Sequence, residues 1–465
     1  MTKFNKLIPE ANEIYKTTED LVGIGVRMPG TAGGDKARQY VMDRFYEYGL
    51  KNVHEIESET DLWQCSEYEL TVDDKEVPAY FIAHSFNNGS YGEFGTPNEG
   101  LNGELVYVGD GKSKDFDKVD VKGKIVICNC RFTKLPIFML RIISKLFYDP
   151  DKTFGMFERR LNPYSANTFP HNYYRAMKRG AAGCVVILSD YIDSSCYNNE
   201  DYSYIDGDMK IPGLWVSGNE GKKLVERIRN STKPAAGSIR MKCSNSRVKA
   251  AAVAGIVQGK TDEMILVHSH FDSSTPGATE DGTGAAEVLA LAKYFSQIPR
   301  EELKKSILFI EMDTHFSDYD THDSVVAEYM GEGSKVLADV CIEHVAAEMI
   351  NKNGTGVMTG LVEPRIFFVS GAKALMRITK DEIKKHDLRR TVVLPAEKFG
   401  DEVPTDGDIF HIAKVPIINM VSGQLYIYDN IDTMDKVPKG ELRPVAETFA
   451  DIIWRLMDLD KNEFR

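Results

Sequence analysis

The sequence lacks the features that mark secreted, membrane-spanning and nucleic-acid-binding proteins. Its net charge of −13 argues against nucleic acid or an anionic membrane as a partner, because both attract basic surfaces. The longest apolar stretch, residues 135–148, contains an arginine and a lysine and is too short to cross a bilayer. The first residues, MTKFNKLIPEANEIYK, include no apolar core of signal-peptide length. A soluble cytoplasmic protein is therefore expected.

The cysteines are not expected to form a disulfide framework. There are seven of them, an odd number, and their spacing is irregular. Cys128 and Cys130 lie in the apolar run VICNC, which is typical of a buried strand rather than a metal knuckle. This pattern favours a reducing compartment.

The organisation of the chain indicates an α/β protein with an insertion. At 465 residues it is too long for one compact core. Helical periodicity and strand-like alternation fill residues 1–97, and short β-runs between Gly, Asp and Asn turns fill residues 98–240. Strands and helices alternate over residues 241–465. We predict a mixed, mostly parallel sheet flanked by helices, interrupted by a small β-rich insert.

One stretch, residues 264–293, has the composition of a metal site. An apolar strand delivers His270 and Asp272 onto a loop, and Glu280 follows on a Gly-rich turn before a helix of small residues. These positions offer an imidazole ligand, a carboxylate that orients it and a second carboxylate ligand. Sites in α/β sheets lie at the carboxyl ends of strands, which is where this loop begins.

Several segments, spread over nearly the whole chain, are similar to one protein family. GIGVRMPGT is followed in order by VHSHFDS, PGATEDGTGAAEVLALAK and YDNIDTMDKV. This series resembles the co-catalytic zinc exopeptidases of aminopeptidase and glutamate carboxypeptidase type, peptidase clan MH. GELVYVGDG, VDVKGKIVI, RGAAGCVVI and IPGLWVS resemble the protease-associated insert that many members carry. The resemblance implies a zinc exopeptidase-like fold with that insert.

The resemblance also implies a role for each of the matched positions in the metal site. The family binds two zinc ions: a bridging Asp, a His and an Asp for one ion, a Glu and a His for the other, and a further Glu as general base. His270 falls on the first His ligand, and Asp272 falls on the carboxylate that orients it. Glu280 stands at the bridging position. Glu348, within the predicted strand CIEHVAAEM, falls on the other Asp ligand.

Three positions depart from the family more strongly. His315 occupies the general-base position, Phe316 that of the second ion's Glu ligand, and Tyr428 that of its His ligand. One site therefore keeps an imidazole and two carboxylates, with His315 as a potential fourth donor, whereas the other keeps a single carboxylate. We predict one divalent ion instead of two, with zinc as the expected metal and manganese or iron(II) as alternatives.

These residues predict a hydrolase. His315 could accept a proton from water, and Tyr428 could donate a hydrogen bond to an oxyanion or simply fill the vacated pocket. Asp406 and Asp408 stand where the family forms part of its substrate pocket, and their charge suits a cationic or amino-bearing substrate. The leading hypothesis is a metal-dependent, aminopeptidase-like hydrolase that cleaves an amide, peptide-like bond in a short peptide or small molecule.

Other interpretations stay open at this point. The chain could be an enzyme of the same fold with non-peptidase chemistry on a small molecule, or a catalytically inactive binding protein. His322, Asp318 and Asp320 could also rebuild a second metal site. The replacements favour an active site with altered ligands over an inactive site, because the ligand positions of inactive sites more often carry Ala, Ser, Asn or Gly.

Overall fold

The computed structural model describes residues 3–230 and 232–464. The helices are α1 (Ala11–Ile24), α2 (Ala32–Glu47), α3 (Ser113–Phe116), α4 (Ile137–Ile143), α5 (His171–Lys178), α6 (Ser203–Asp206), α7 (Gly218–Asn230), α8 (Thr283–Ser296), α9 (Asp320–Tyr329), α10 (Lys373–Lys385), α11 (Asp408–Ile412) and α12 (Lys439–Met457). The strands are β1 (Lys51–Val72), β2 (Lys75–Val77), β3 (Tyr80–Phe81), β4 (Gly92–Gly95), β5 (Leu101–Tyr107), β6 (Ile125–Cys130), β7 (Phe132–Pro136), β8 (Leu146–Tyr148), β9 (Arg159–Ala166), β10 (Gly183–Leu188), β11 (Gly213–Ser217), β12 (Ala236–Val257), β13 (Met264–His270), β14 (Ser306–Met312), β15 (Val336–Ile342), β16 (Ala347–Lys352), β17 (Thr355–Val362), β18 (Arg365–Val369), β19 (Thr391–Pro395) and β20 (Ile417–Ser422). Within the described ranges, no helix combines the length and apolar character needed to cross a membrane.

A mixed sheet forms the centre of the larger domain. Its strand order is β12–β14–β13–β15–β20–β18–β19. Strands β14, β13, β15 and β20 are parallel, whereas β12 and β18 are antiparallel to their neighbours in that group. Helices α1, α2, α8, α10 and α12 pack around one apolar core and helices α9 and α11 around another. The predicted α/β sheet flanked by helices is confirmed.

A smaller sheet forms the insert. Strands β5, β6, β10 and β11 are parallel, and β3 adds an antiparallel edge. The run VICNC is the buried strand β6, as predicted, and all seven cysteines are free thiols. The predicted β-rich insert is therefore present.

Two connections join the insert to the main sheet. Strand β12 pairs with β5 in the small sheet and with β14 in the main sheet. It runs without a break through residues 240–241, where the sequence predicted a domain boundary. At the other end of the main sheet, β8 pairs with β19. The insert therefore contacts the main sheet at both of its outer strands, β12 and β19.

A buried arginine fixes the loop that follows β13. Arg27 donates from Nε to the carbonyl oxygen of Phe271 at 2.7 Å, and from its two Nη atoms to those of Pro276 and Gly277 at 2.9 and 3.0 Å. These bonds satisfy a guanidinium that is fully buried. They hold the segment that carries Glu280 against the amino-terminal helices.

Candidate metal centre

The candidate centre lies where three strands of the main sheet end. His270 is the last residue of β13, and Glu280 lies in the loop between β13 and α8. His315 follows β14, and His344 follows β15. All four side chains are buried. Their placement agrees with the rule that sites in α/β sheets form at the carboxyl ends of the strands.

Each of the three histidines is oriented through Nδ1. The Nδ1 contacts are His270 to Asp272 Oδ1 at 3.0 Å, His315 to Asp406 Oδ1 at 3.0 Å, and His344 to the carbonyl oxygen of Ser422 at 3.0 Å. Because an acceptor oxygen faces each Nδ1, that nitrogen carries a proton, and Nε2 is the nitrogen that can bind a metal when it is unprotonated. Neutral imidazoles of this tautomer are metal ligands.

The three free Nε2 atoms converge on the Glu280 carboxylate. Their distances to it are 3.7 Å for His270, 3.4 Å for His315 and 2.5 Å for His344. All these atoms are buried, and none makes a hydrogen bond of acceptable geometry within residues 3–230 and 232–464. Buried polar atoms without partners are rare in folded proteins and indicate a bound ion or water. Of these groups, His270, Glu280 and His315 have ligand atoms close enough to hold one ion, and two imidazoles with a carboxylate fit a divalent transition metal.

The carboxylates of the centre are held in their charged form. Burial opposes ionisation of Glu280, but the neighbouring imidazoles, His344 foremost, bring its pKa below the usual value. Burial likewise opposes ionisation of Asp406, and His315 and His270 hold its pKa well below the usual range. Burial raises the pKa of Asp281 to about 6.

The two predicted substrate-binding aspartates differ in their contacts. Asp406 is buried, and each of its carboxylate oxygens faces a histidine. Oδ1 faces His315 Nδ1, and Oδ2 lies 3.6 Å from His270 Nε2. Asp406 therefore orients His315, and its predicted role in substrate binding stays a prediction. Asp408 is partly buried at the start of α11, and burial together with the Asp406 charge raises its pKa to about 7.

Phe316 and Tyr428 lie together beside the histidines. Their ring centroids are 6.2 Å apart, and Phe316 is 5.0 Å from the His315 ring. The Tyr428 hydroxyl donates to Glu200 Oε1, so it is not a free donor for an oxyanion. Both side chains are almost completely buried.

The structure does not bring Glu348 to the centre. The predicted strand CIEHVAAEM is two strands, since β15 ends at Ile342 and β16 begins at Ala347. Between them, His344 adopts φ of 56°, a left-handed conformation that ends the extended run. The predicted ligand role of Glu348 is therefore corrected: His344 stands at the strand end, and Glu348 lies on a separate hairpin.

Glu348 instead neutralises two arginines. Its carboxylate accepts from Arg160 at 2.5 Å, from Arg390, and from Thr359 Oγ1 at 2.6 Å. Its side chain is only 4% exposed, as is that of Arg390. The site is a structural ion-pair cluster that ties β9 of the insert to the larger domain.

Glu348→Gln is expected to lower stability and leave metal content unchanged. Removing one partner of a buried ion pair leaves guanidinium charge uncompensated and costs about 3 kcal/mol of unfolding free energy. Urea denaturation measures the loss. Glu19→Gln, at a half-exposed surface pair with Lys16, is the control and should shift the free energy by less than about 0.5 kcal/mol. Loss of bound metal in Glu348→Gln would contradict this expectation and would indicate that Glu348 is a metal ligand.

A separate group of potential ligands lies between α10 and α12. It consists of Glu382, His386 and Asp451. Lys385 bonds both carboxylates, and Arg455 bonds Glu382. These cations already neutralise the carboxylates, so the group is a structural network.

Comparison with known proteins agrees with the fold and the insert. Residues 252–453 match the model of Peptidase family M28, and residues 101–224 match that of the PA domain. Carboxypeptidase Q of Rattus norvegicus is 22% identical over 464 residues, which cover 94% of this chain and 84% of that protein.

Solved structures share the architecture. A Peptidase M28 precursor from Shewanella amazonensis SB2B superposes with a TM-score of 0.72 at 16% identity, covering 98% of this chain and 96% of the other. BSAP, a zinc aminopeptidase from Bacillus subtilis, superposes with a TM-score of 0.66 at 17% identity, covering 97% of this chain and 96% of the other. At these identities the likeness establishes the fold alone.

Proposed function

Since residues 252–453 match peptidase family M28 and residues 101–224 match the PA domain, we propose that the protein is a metal-dependent hydrolase that cleaves an amide bond with a single divalent ion. The observation that carries the proposal is the convergence of three unpartnered Nε2 atoms on Glu280. Nothing in such an arrangement is needed for folding, because four buried polar groups without partners destabilise a protein.

The way the donors are shared supports the proposal of a single ion. Two triads have ligand atoms close enough to hold an ion: His270 with Glu280 and His315, and His270 with Asp281 and His344. Both need His270, and its Nδ1 already faces Asp272. One nitrogen lone pair remains, and it can serve only one ion.

The second ion of the family lacks ligands here. Phe316 has no donor atom, and the Tyr428 hydroxyl is bonded to Glu200. We therefore propose His270, Glu280 and His315 as the ligand set, with His344 Nε2 beside it at 2.5 Å from Glu280 Oε2. Zinc is the expected metal, supported by the likeness to a zinc aminopeptidase, with manganese or iron(II) as alternatives.

When bound, a divalent ion polarises an amide carbonyl and makes a water molecule more acidic. The protein's own residues prepare the site. Asp272 and Asp406 fix the tautomers of His270 and His315 through Nδ1. With both nitrogens engaged, His315 is assigned as a ligand instead of the general base. Burial and the Asp406 charge raise the pKa of Asp408 to about 7, so this carboxyl changes protonation near neutral pH.

An apolar cavity beside the centre indicates which amides to test. It has a volume of about 320 Å³ and is lined by Leu140, Ile366 and Leu394 among other apolar side chains. Tyr164 forms part of its wall, and the Tyr164 hydroxyl lies 3.0 Å from His344 Nδ1. We propose that it accepts an apolar side chain of the substrate, so amides of leucine are suitable probes.

The test is hydrolysis of leucine p-nitroanilide by metal-free and metal-loaded protein. We expect chelation to abolish turnover and one equivalent of zinc, manganese or iron(II) per chain to restore it. Turnover that persists without metal would contradict the proposal. A metal-loaded protein that cleaves no amide would instead favour non-peptidase chemistry or an inactive binding protein.

A further inference from the structure

Helix α4 of the insert presents an apolar side to solvent. Phe138, Met139 and Ile142 lie on this side, because they are three and four residues apart in the helix. Ile142 is 75% exposed, and the other two side chains are about half exposed. Leu140 and Ile143, on the remaining surface of α4, line the apolar cavity. A helix that is apolar all round is normally buried all round, whereas the protein covers only part of α4.

A neighbouring turn extends the apolar side of α4. Its side chains are those of Met156, which is 70% exposed, and Phe157, which is 84% exposed. The Ile137 backbone N–H donates to the Glu158 carbonyl oxygen at 3.0 Å, so the start of α4 and the end of this turn lie side by side. Single exposed apolar residues are common, but a cluster of them marks a contact surface. We call this cluster the α4 face; it consists of Phe138, Met139, Ile142, Met156 and Phe157.

The chain around the α4 face is basic, although the protein as a whole is acidic. Residues 131–160 contain seven lysines and arginines and three acidic residues, in a chain of net charge −13. All three acidic side chains are engaged. Asp149 accepts bonds from its own turn, and Asp151 and Glu158 pair with arginines at 2.6 and 3.0 Å. The local excess of positive charge therefore comes from cations that these carboxylates do not neutralise.

Several of these cations are free to meet an anionic partner. Within the part of the chain that the structure describes, Lys145, Lys152 and Arg159 make no ion pair, and all three are exposed. Arg141 lies 4.1 Å from the centre of the Phe147 ring, a contact that leaves its charge uncompensated. The negative charge elsewhere on the chain has little effect here, because salt screens exposed charges beyond about 8 Å at physiological ionic strength.

We propose that the α4 face binds the surface of an anionic lipid bilayer. Its apolar side chains enter the boundary between head groups and acyl chains, and the surrounding lysines and arginines contact the anionic head groups. The inference concerns attachment of the protein to a membrane surface. It goes beyond the proposed hydrolysis and holds whether or not the protein cleaves amides.

A second copy of the chain is a less suitable occupant of the α4 face. Stable protein interfaces contain about 20–30 residues a side, far more than the five side chains of this face. A symmetric dimer through this surface would also bring two sets of unpaired cations together, and like charges repel each other. An anionic bilayer complements both the apolar character and the charge of this region.

Co-sedimentation of the intact protein with lipid vesicles tests the proposal. Vesicles of equal parts phosphatidylglycerol and phosphatidylcholine should bind the wild type, with about tenfold weaker binding to pure phosphatidylcholine or in high salt. Phe138→Ser combined with Phe157→Ser should weaken binding to the anionic vesicles by at least about tenfold, because two aromatic side chains no longer leave water. Tyr204→Ser, at an insert tyrosine that is 79% exposed and lies outside the α4 face, is the control and should bind as the wild type does.

A second set of variants tests the role of charge. Lys145→Gln combined with Lys152→Gln should lower the affinity for the anionic vesicles by about tenfold. Lys114→Gln combined with Lys118→Gln removes the same charge from another exposed part of the insert and should leave the affinity unchanged. Equal losses in both double variants would show that only net charge matters and would overturn the role of this surface.

Sedimentation velocity without lipid tests the other occupant. Thermal melting of the variants should match that of the wild type, since the substituted side chains are exposed. Failure of the wild type to bind anionic vesicles would overturn the proposal, and a dimer dissociated by Phe138→Ser with Phe157→Ser would then assign the α4 face to a second copy. Vesicle binding that survives these two substitutions, or equal binding to neutral vesicles, would also overturn it.

Discussion

His270→Ala is expected to reduce metal-dependent amide hydrolysis by about a thousandfold, because loss of the polarising ion removes about 4 kcal/mol of transition-state stabilisation. His270 is the ligand that both triads require, and its Nε2 has no other partner. The measurement is kcat/KM for leucine p-nitroanilide at a fixed zinc concentration. His54→Ala, at a partly exposed histidine paired with Glu328, is the control and should keep full activity.

A graded variant distinguishes loss of a ligand from general damage. Asp272→Asn keeps the size of the side chain but weakens the acceptor that faces His270 Nδ1. It should lower metal affinity or activity by about 10- to 100-fold. Full activity in His270→Ala, or an equal loss in both variants with reduced thermal stability, would contradict the ligand assignment.

The double variant Phe316→Glu with Tyr428→His is expected to raise the number of bound ions from one to two. These two positions face each other across a centroid distance of 6.2 Å, and the substitutions supply the carboxylate and imidazole that the family places there. Together with Glu280 they give a second ion three protein ligands, the usual minimum for zinc. Metal analysis after dialysis measures the ratio.

Each single substitution serves as the control for the double variant. Phe316→Glu or Tyr428→His alone offers a second ion only two protein ligands, so the ratio should stay at one. A folded double variant that still binds one ion would show that these side chains are not what excludes the second. Circular dichroism and thermal melting establish that the variant is folded.

Much of the main sheet could be predicted from hydrophobic patterning. The run SILFIEM coincides with β14, and the apolar run before His270 coincides with β13. Completely buried strands read as continuous apolar runs, and both of these are buried along nearly their whole length. His270, Glu280 and His315 could be found because they follow such strands closely.

His344 could not be assigned because the end of β15 is not marked by the usual signals. The apolar character of VLADVCI continues into VAA after the Glu343–His344 pair, with no glycine or proline between them. The left-handed backbone at His344 depends on tertiary contacts, among them the bond from its backbone N–H to Asp281 Oδ1 at 2.9 Å. A predicted strand end at Ile342, two residues before His344, would have pointed to this histidine.

The contact between Tyr428 and Glu200 could not be found from local sequence for a different reason. The two residues lie 228 positions apart along the chain, and only the docking of the insert brings them together. The contacts of Asp406 and Glu348 are equally non-local, which is why both received other roles from the sequence. Pattern and spacing describe what one segment does, whereas a site shared by two domains is decided by their packing.

The measurement that tests the single-ion centre most directly is the metal content of the purified wild-type protein. Elemental analysis by mass spectrometry, after dialysis against metal-free buffer, should find one tightly bound divalent ion per chain. His54→Ala should keep that ratio, and His270→Ala should bring it close to zero. Two tightly bound ions per wild-type chain, or none after loading with zinc, manganese and iron(II), would contradict the account.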